Sequence, residues 1–386
     1  MDTIRIIISL AAHNGWKLYQ LDVKSAFLQG DLNEEVYIDQ LEGFVKEGKE
    51  YMAYRLHKAL YGLKQAPRAW FNKIESHFVS KGFKGCDSEQ TLFTKRSAEG
   101  KMLIVTIYVD DLIFTGNDHE QMNKFKQAMM RQFDMTDLGH LNYFLGIEVV
   151  QKANGVFICQ KRYAEQILKR FGMSTCNPVY CPILPGVKVG RDKEGKLVDE
   201  TYYKQIVGSL MYLTFTRPGL MFATRLISRY MSKPTDLHLQ IAKKILRYLK
   251  ETTQFGILYQ AGCRGRDLEV YTDSDYAGDM DDRKSTSGYV FKFSSGAVAW
   301  TFKKQPIVSL STTEAEFIAA TVCTCQAIWL KRIRTELGYE HEGCIVIKCD
   351  NSSTIKLSKN PVMHGRSKHI DERYHFLRDL AKKGRN

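Results

Sequence analysis

Met102-Leu103-Ile104-Val105-Thr106-Ile107-Tyr108-Val109-Asp110-Asp111-Leu112-Ile113-Phe114 is an apolar, β-branched run broken only by two adjacent carboxylates. The pattern predicts a strand, a tight turn and a second strand, with both acids held at the hairpin tip. A turn made for structure alone favours Asn-Gly or Asp-Gly. Neighbouring carboxylates repel, and each raises the other's pKa unless a cation sits between them. An Asp-Asp pair also serves as an ordinary exposed turn, so the reading depends on finding a partner.

That partner is Asp22 in Gln20-Leu21-Asp22-Val23-Lys24-Ser25-Ala26-Phe27-Leu28-Gln29-Gly30, where it ends a short apolar strand and enters a helix or turn. Three carboxylates from two strand ends form the ligand set of a two-metal phosphoryl-transfer site, because magnesium prefers oxygen ligands and must clamp both attacking and leaving oxygens. Asp22-Val23-Lys24-Ser25-Ala26-Phe27, then Leu60-Tyr61-Gly62-Leu63-Lys64-Gln65-Ala66-Pro67-Arg68-Ala69-Trp70, then Tyr108-Val109-Asp110-Asp111, resemble the reverse transcriptase palm of copia-type LTR retrotransposons. The resemblance runs in order to the C-terminus and covers nearly the whole chain. It implies that Asp22, Asp110 and Asp111 hold two Mg2+ ions at the 3′ end of a growing strand. Phe27 stands where the family's bulky residue blocks a 2′-hydroxyl, and Gly62 permits close backbone approach to the nascent base pair. Lys64 is a candidate phosphate contact, and Tyr108 joins the nucleotide- and template-binding set. Pro67 starts a helix, and Trp70 reads as core.

At 386 residues the chain suggests two or three domains. Its composition, 44% hydrophobic and 26% charged, is that of ordinary globular protein, with no 18-residue apolar run to span a membrane. No signal peptide or other targeting signal is seen. Nine scattered cysteines lack zinc-site spacing, which fits reduced thiols inside a cell, in the cytoplasm or a virus-like particle. The net charge of +13 is uneven: −2 over residues 1–150, +12 over 151–267 and +3 over 268–386. A basic middle between acid-bearing ends suits a polyanion lying across the molecule. A solvated basic face gives the same composition.

The sequence pattern and the resemblance together predict an α+β chain in three parts. Residues 1–150 are expected to form a reverse transcriptase palm with incomplete fingers, 151–267 a helical, strongly basic thumb or connection, and 268–386 a ribonuclease H-like mixed-sheet domain. In the palm, Asp118 to Phe133 reads as a helix and Phe144-Leu145-Gly146-Ile147-Glu148-Val149 as a strand, which the resemblance makes the primer-contacting hairpin. In the middle part, residues 162–171, 202–213, 220–231 and 237–250 read as helices, with 177–197 as linker. The last of these helices carries Lys243, Lys244, Arg247 and Lys250 on adjoining turns, first choice for phosphate contacts.

After Gly256 the period changes to strands: Leu268 to Asp275, a hairpin from Gly288 to Lys304 turning at Ser294-Ser295-Gly296, and Cys344 to Asn351, with a long helix from Thr312 to Leu337 before the last. This order, with acids at Asp273, Glu316, Asp350 and Asp371, resembles the ribonuclease H fold and its four-carboxylate, two-magnesium site. Glu314 and Glu316 compete for the helical carboxylate. Ser311-Thr312-Thr313-Glu314 has capping-box spacing, which turns Glu314 back toward the helix start; Glu316 has the small residues Ala319 and Ala320 on its face and is assigned to metal. Asp275, Asp279, Asp281 and Asp282 read as loop residues ahead of Arg283-Lys284-Ser285 in an exposed turn. His364 and His369 are candidates for proton transfer at product release or for a phosphate contact.

Only 21 residues precede Asp22, where the family carries an extended fingers region, so polymerase activity of this chain is expected to be weak. Gln40-Leu41-Glu42 stands where a Pro usually precedes the Glu, and Thr216-Arg217-Pro218-Gly219 has Gly in place of an expected Asp. The expected function is a reverse transcriptase and ribonuclease H fragment of a retrotransposon polyprotein. Its expected partners are RNA–DNA hybrid, RNA template, DNA primer, deoxynucleotides and other Pol or Gag parts, with no membrane. The competing expectation is an inactive transposon remnant that at most binds nucleic acid.

Overall fold

The computed structural model describes residues 1–184, 186–263, 267–339, 343–359 and 377. Two compact units divide the chain: Trp16–Leu141, and Met1–Gly15 together with Asn142–Asn386. Helix α1 (Asp2–Asn14) therefore opens the chain but packs in the second unit, whereas the sequence grouped residues 1–150 together.

The first unit contains β1 (Tyr19–Val23), the short helix α2 (Ala26–Gln29), a two-stranded ribbon of β2 (Tyr37–Asp39) and β3 (Ala53–Arg55), helix α3 (Ala66–Ser80), strands β4 (Lys84–Cys86), β5 (Glu89–Arg96), β6 (Met102–Tyr108) and β7 (Asp111–Gly116), helix α4 (His119–Gln132) and β8 (Met135–His140). Six strands form one sheet in the order β4-β5-β6-β7-β1-β8. Side chains alternate across a strand, so Leu21 and Val23 of β1, Leu103, Val105 and Ile107 of β6, and Leu112 and Phe114 of β7 share one buried cluster with Trp70, Ile74 and Phe78 of α3 and Met122, Phe125 and Met129 of α4. The same alternation leaves Gln20, Asp22 and Asp111 on the opposite face. Asp118 caps α4 by accepting the backbone N–H of Glu120 and Gln121 at 2.8 and 3.1 Å, and Pro67 sits in the first turn of α3.

The second unit continues with β9 (Tyr143–Phe144), β10 (Ile147–Lys152), β11 (Gly155–Cys159), helices α5 (Lys161–Arg170), α6 (Glu200–Leu213), α7 (Met221–Ile227) and α8 (Asp236–Glu251), then β12 (Gly256–Gln260), β13 (Leu268–Ser274), β14 (Thr286–Phe293), β15 (Gly296–Lys304), α9 (Thr312–Glu336), β16 (Ile347–Lys348) and α10 (Ser352–Lys359). Its sheets run β12-β11-β10-β9 and β15-β14-β13-β16. In the latter, β13, β14 and β15 are antiparallel and β16 lies parallel to β13, α9 making the crossover. Helices α5 to α8 bury a common core that includes Ile167, Tyr203, Leu210, Ile227, Ile245 and Leu249. Helix α1 packs against β12 and β15. Its buried Arg5 donates from Nε to the Val298 carbonyl at 2.8 Å and stacks 3.9 Å from the Trp300 ring centre.

Three sequence readings need correction. Residues 144–149 are not one strand: Leu145 and Gly146 turn with φ of 45° and 72°, and β9 folds back on β10. The strand expected over 344–351 shrinks to Ile347–Lys348. The helix expected over 220–231 is α7 flanked by single 3-10 turns at Pro218–Leu220 and Ser228–Tyr230.

Candidate metal centres

In the first unit, antiparallel pairing of β1 with β7 sets Asp22 directly opposite Asp111. Asp110 is the second residue of the two-residue turn between β6 and β7, and its carbonyl accepts the Val23 N–H at 2.8 Å. Strand pairing thus draws the three sequence-predicted acids to one place. The turn is unusual for its chemistry: Val109 has φ of 59°, a left-handed conformation that a β-branched residue rarely adopts. Trp70, fixed in the core by α3, donates from Nε1 to the Val109 carbonyl at 2.7 Å and holds that turn. The indole therefore acts as core and as turn support.

Gln20, two residues before Asp22 and on the same face, donates from Nε2 to Asp111 Oδ1 at 2.7 Å. Burial pushes the Asp111 carboxyl above the usual carboxylate range; Gln20 opposes this, and the charges of Asp110 and Asp22 add to it. Nearby, the Phe27 and Tyr61 rings lie 4.7 Å apart. Gly62 has φ of 95° with no protein atom within 4 Å of a built Cβ, so its backbone conformation is what requires glycine. Lys64 and Tyr108 are exposed.

In the second unit, Asp273 lies near the end of β13, Glu316 in the first turns of α9 and Asp350 just past β16. Glu316 is 6% exposed, and its Oε1 accepts the Ser274 N–H at 3.2 Å. Ligand atoms of Glu316, Cys349 and Asp350 lie within 4.8 Å of one another, and the Cys349 thiol donates to Glu316 Oε2 at 3.8 Å. The Glu316 carboxyl is pushed up to about 7, by burial first and then by the charges of Asp273 and Asp350, against the Ser274 N–H. Glu314 points elsewhere: its Oε2 accepts the Leu310 N–H at 2.7 Å while Ser311 Oγ accepts the Glu314 N–H at 3.1 Å. Asp371, His364 and His369 lie outside the described residues.

Both groups of acids offer hard oxygen donors, and the carboxyls of Asp111 and Glu316 are raised by burial first and by the neighbouring carboxylates second, both of which a bound divalent cation would offset. The donor chemistry fits magnesium at each. Cys349 was missed by the sequence reading, as was Gln20, although its i, i+2 spacing from Asp22 placed it on the acid-bearing face. Asp279 lies in the loop between β13 and β14, as expected, but it is not exposed: its buried carboxylate is bonded to Lys304 and Arg229 at 2.7 and 3.0 Å. Asp275 accepts the Thr286 N–H at 2.6 Å and so closes the same loop.

Along α8, Lys243 and Lys250 are exposed and Lys244 and Arg247 half-buried. Arg247 donates from Nε to the Asn177 carbonyl at 2.7 Å, which ties the helix to the irregular stretch after α5. No helix among the described residues is long and apolar enough to cross a membrane.

Residues 1–185 match the family described as reverse transcriptase (RNA-dependent DNA polymerase). The retrovirus-related Pol polyprotein from transposon TNT 1-94 of Nicotiana tabacum is 42% identical over 99% of this chain and 29% of its own length. That from transposon RE1 of Arabidopsis thaliana is 40% identical over 99% of this chain and 26% of its own length. A transposon Ty5-1 protein of Saccharomyces cerevisiae is 31% identical over 78% of this chain and 98% of its own length. The chain thus spans under a third of the two Pol polyproteins.

Proposed function

The chain belongs to the copia-type retrotransposon Pol polyproteins, in their reverse transcriptase portion, and from that membership we propose that it is an RNA-directed DNA polymerase and ribonuclease H segment acting on RNA–DNA hybrid. The observation that carries the polymerase half is the register of β1 on β7, which sets Asp22 opposite Asp111 with Asp110 in the adjoining turn. On this reading the sheet of the first unit is the palm, helices α5 to α8 are the thumb or connection, and the sheet of β13 to β16 with α9 is the ribonuclease H-like part.

Asp22, Asp110 and Asp111 would hold magnesium in the palm, and Asp273, Glu316, Asp350 and Asp371 in the nuclease part. Magnesium bound there supplies Lewis-acid stabilisation of charge on the transferring phosphoryl group. The chain's own residues do the positioning. Trp70 fixes the turn that carries Asp110, Gln20 orients Asp111, and the Ser274 N–H orients Glu316. Phe27 is proposed as the bar to a ribose 2′-hydroxyl. Gly62, Lys64 and Tyr108 are proposed to face primer, template and incoming deoxynucleotide, and Lys243, Lys244, Arg247 and Lys250 to meet phosphates of the hybrid. Other Pol or Gag segments are the proposed protein partners.

The test is incubation of the purified chain with a labelled RNA–DNA hybrid, deoxynucleotides and magnesium, reading primer extension and RNA cleavage together. Extension lost in Asp110→Asn and cleavage lost in Asp273→Asn support the two halves separately. Hybrid binding without either reaction, at any magnesium concentration, marks a remnant that only binds nucleic acid.

A further inference from the structure

Gln305 follows β15 and is 3% exposed, a long polar side chain in a place where an apolar one would pack. Its carboxamide is fully engaged. Nε2 lies 2.9 Å from the Ala315 carbonyl, 2.9 Å from Ser287 Oγ and 3.2 Å from Ser274 Oγ, while Oε1 accepts the Ser309 hydroxyl at 2.7 Å. Its backbone N–H donates to the Ser285 carbonyl at 2.8 Å.

Two of these partners stand beside acids of the second centre. Ser274 follows Asp273 at the end of β13, and Ala315 precedes Glu316 on α9. The direct link between those elements, Ser274 N–H to Glu316 Oε1 at 3.2 Å, lies next to the carboxamide's own links. One side chain therefore joins the strand that carries Asp273, its neighbour β14 through Ser287, the loop before α9 through Ser309, and the helix that carries Glu316. Metal ligands have to be held to within roughly half an ångström by the groups behind them.

We propose that Gln305 is a positioning residue of the Asp273–Glu316–Asp350 centre, its carboxamide setting the spacing between β13 and the start of α9 and thereby the affinity of that centre for a divalent cation. The proposal rests on the nuclease reading of the centre. A purely structural glutamine would affect folding stability alone, whereas a positioning glutamine also governs metal affinity. Loss of such a support weakens metal binding or activity by about ten- to a hundredfold.

The experiment uses the full chain with Asp22, Asp110 and Asp111 changed to Asn, so that the first unit's acids do not contribute. Mn2+ binding is followed by the electron paramagnetic resonance of the free ion without nucleic acid, and the magnesium needed for half-maximal RNA cleavage is measured in parallel. Gln305→Met keeps the volume and removes the hydrogen bonds; it should weaken Mn2+ binding and raise the magnesium requirement by about tenfold or more. Ser309→Ala, which only frees the carboxamide oxygen, should move both in the same direction by less. Tyr259→Phe removes another buried hydrogen bond of this unit, to the Ala297 carbonyl at 2.7 Å; it should lower the unfolding midpoint and leave both metal readouts unchanged. A folded Gln305→Met with unaltered Mn2+ affinity overturns the proposal. If that variant does not fold, unaltered Mn2+ affinity in Ser309→Ala overturns it instead. A parent chain that binds no Mn2+ and cleaves no hybrid overturns the nuclease reading itself, and the proposal with it.

Discussion

Asp279→Asn is expected to destabilise the second unit by about 3 kcal/mol, the lower part of the 3–5 kcal/mol range for removing one partner of a buried ion pair. The Asp279 side chain is 1% exposed, so solvent screening does little to discount the interaction. Its Oδ2 accepts Lys304 Nζ at 2.7 Å and Arg229 Nη1 at 3.0 Å, while Oδ1 accepts the N–H groups of Asp281 and Asp282 at 3.0 and 3.2 Å. An asparagine that keeps its oxygen on the two backbone N–H groups turns its own N–H bonds onto two cations; the flipped amide faces the backbone N–H groups instead. Neither orientation satisfies the site. The loss is limited because Lys304 retains Asp282 at 2.8 Å and Arg229 retains Thr286 Oγ1 at 2.8 Å. Burial pushes the Asp279 carboxyl up, but Lys304 and the two backbone N–H groups outweigh it and hold the carboxyl below the usual range. A depressed folded pKa gives stability that is fully present above the unfolded value, near 4, and lost as pH falls through the folded one. Urea denaturation of wild type and variant at pH 7 and at steps down to about pH 3 should therefore show a gap that narrows below about pH 4. A gap under about 1 kcal/mol at pH 7, or one that widens on acidification, refutes the reasoning.

Cleavage of hybrid RNA is expected to disappear in Glu316→Gln and survive in Glu314→Gln, which should only weaken the start of α9 by roughly 1 kcal/mol; the reverse pattern in a labelled-hybrid assay would mean that the catalytic glutamate is misassigned. Replacing Lys243, Lys244, Arg247 and Lys250 by Ala should weaken hybrid binding and flatten the dependence of log K on log salt by roughly 0.9 per lost phosphate contact. An unchanged slope would show that α8 faces away from the nucleic acid. Gly30→Ala should destabilise the first unit by about 1–3 kcal/mol, since the added Cβ would sit 2.8 Å from the Trp70 backbone nitrogen; a neutral urea midpoint would show that α2 and α3 separate freely.

Elements whose burial follows a local pattern were legible. Met122, Phe125 and Met129 lie on one face of α4, and a continuous apolar, β-branched run broken only by Asp110 and Asp111 revealed the hairpin, whose strands are buried along nearly their whole length. Residues 144–149 misled because nothing local separates a Leu-Gly pair inside an apolar run from continuous strand. Leu145 accepts φ of 45° only in a tertiary setting, where Tyr212 donates its hydroxyl to the Leu145 carbonyl. Residues 344–351 misled differently. Their apolar members suggest a buried strand, yet Val346 is 69% exposed and pairing with β13 involves only Ile347 and Lys348.

The same distinction governs the candidate sites. The placement of Asp22, Asp110, Asp273, Glu316 and Asp350 at strand ends, a turn and a helix start was legible because these are local features, and Gln20 was within reach of the same logic by its spacing from Asp22. The other supports join segments far apart in the chain. Arg229 meets Asp279 across 50 positions, and nothing local showed that Asp279 is buried, because Arg283-Lys284-Ser285 after it read as an exposed turn. Trp70 reaches Val109 across 39 positions, and the hydrogen bond to that carbonyl helps hold a valine where a turn would ordinarily take glycine. A left-handed valine costs on the order of 1–3 kcal/mol, so local preference alone would have selected another turn. The Asp110–Asp111 pair is therefore held beside Asp22 in a conformation that the core enforces from outside the hairpin, which is why local preference did not reveal the geometry of that turn.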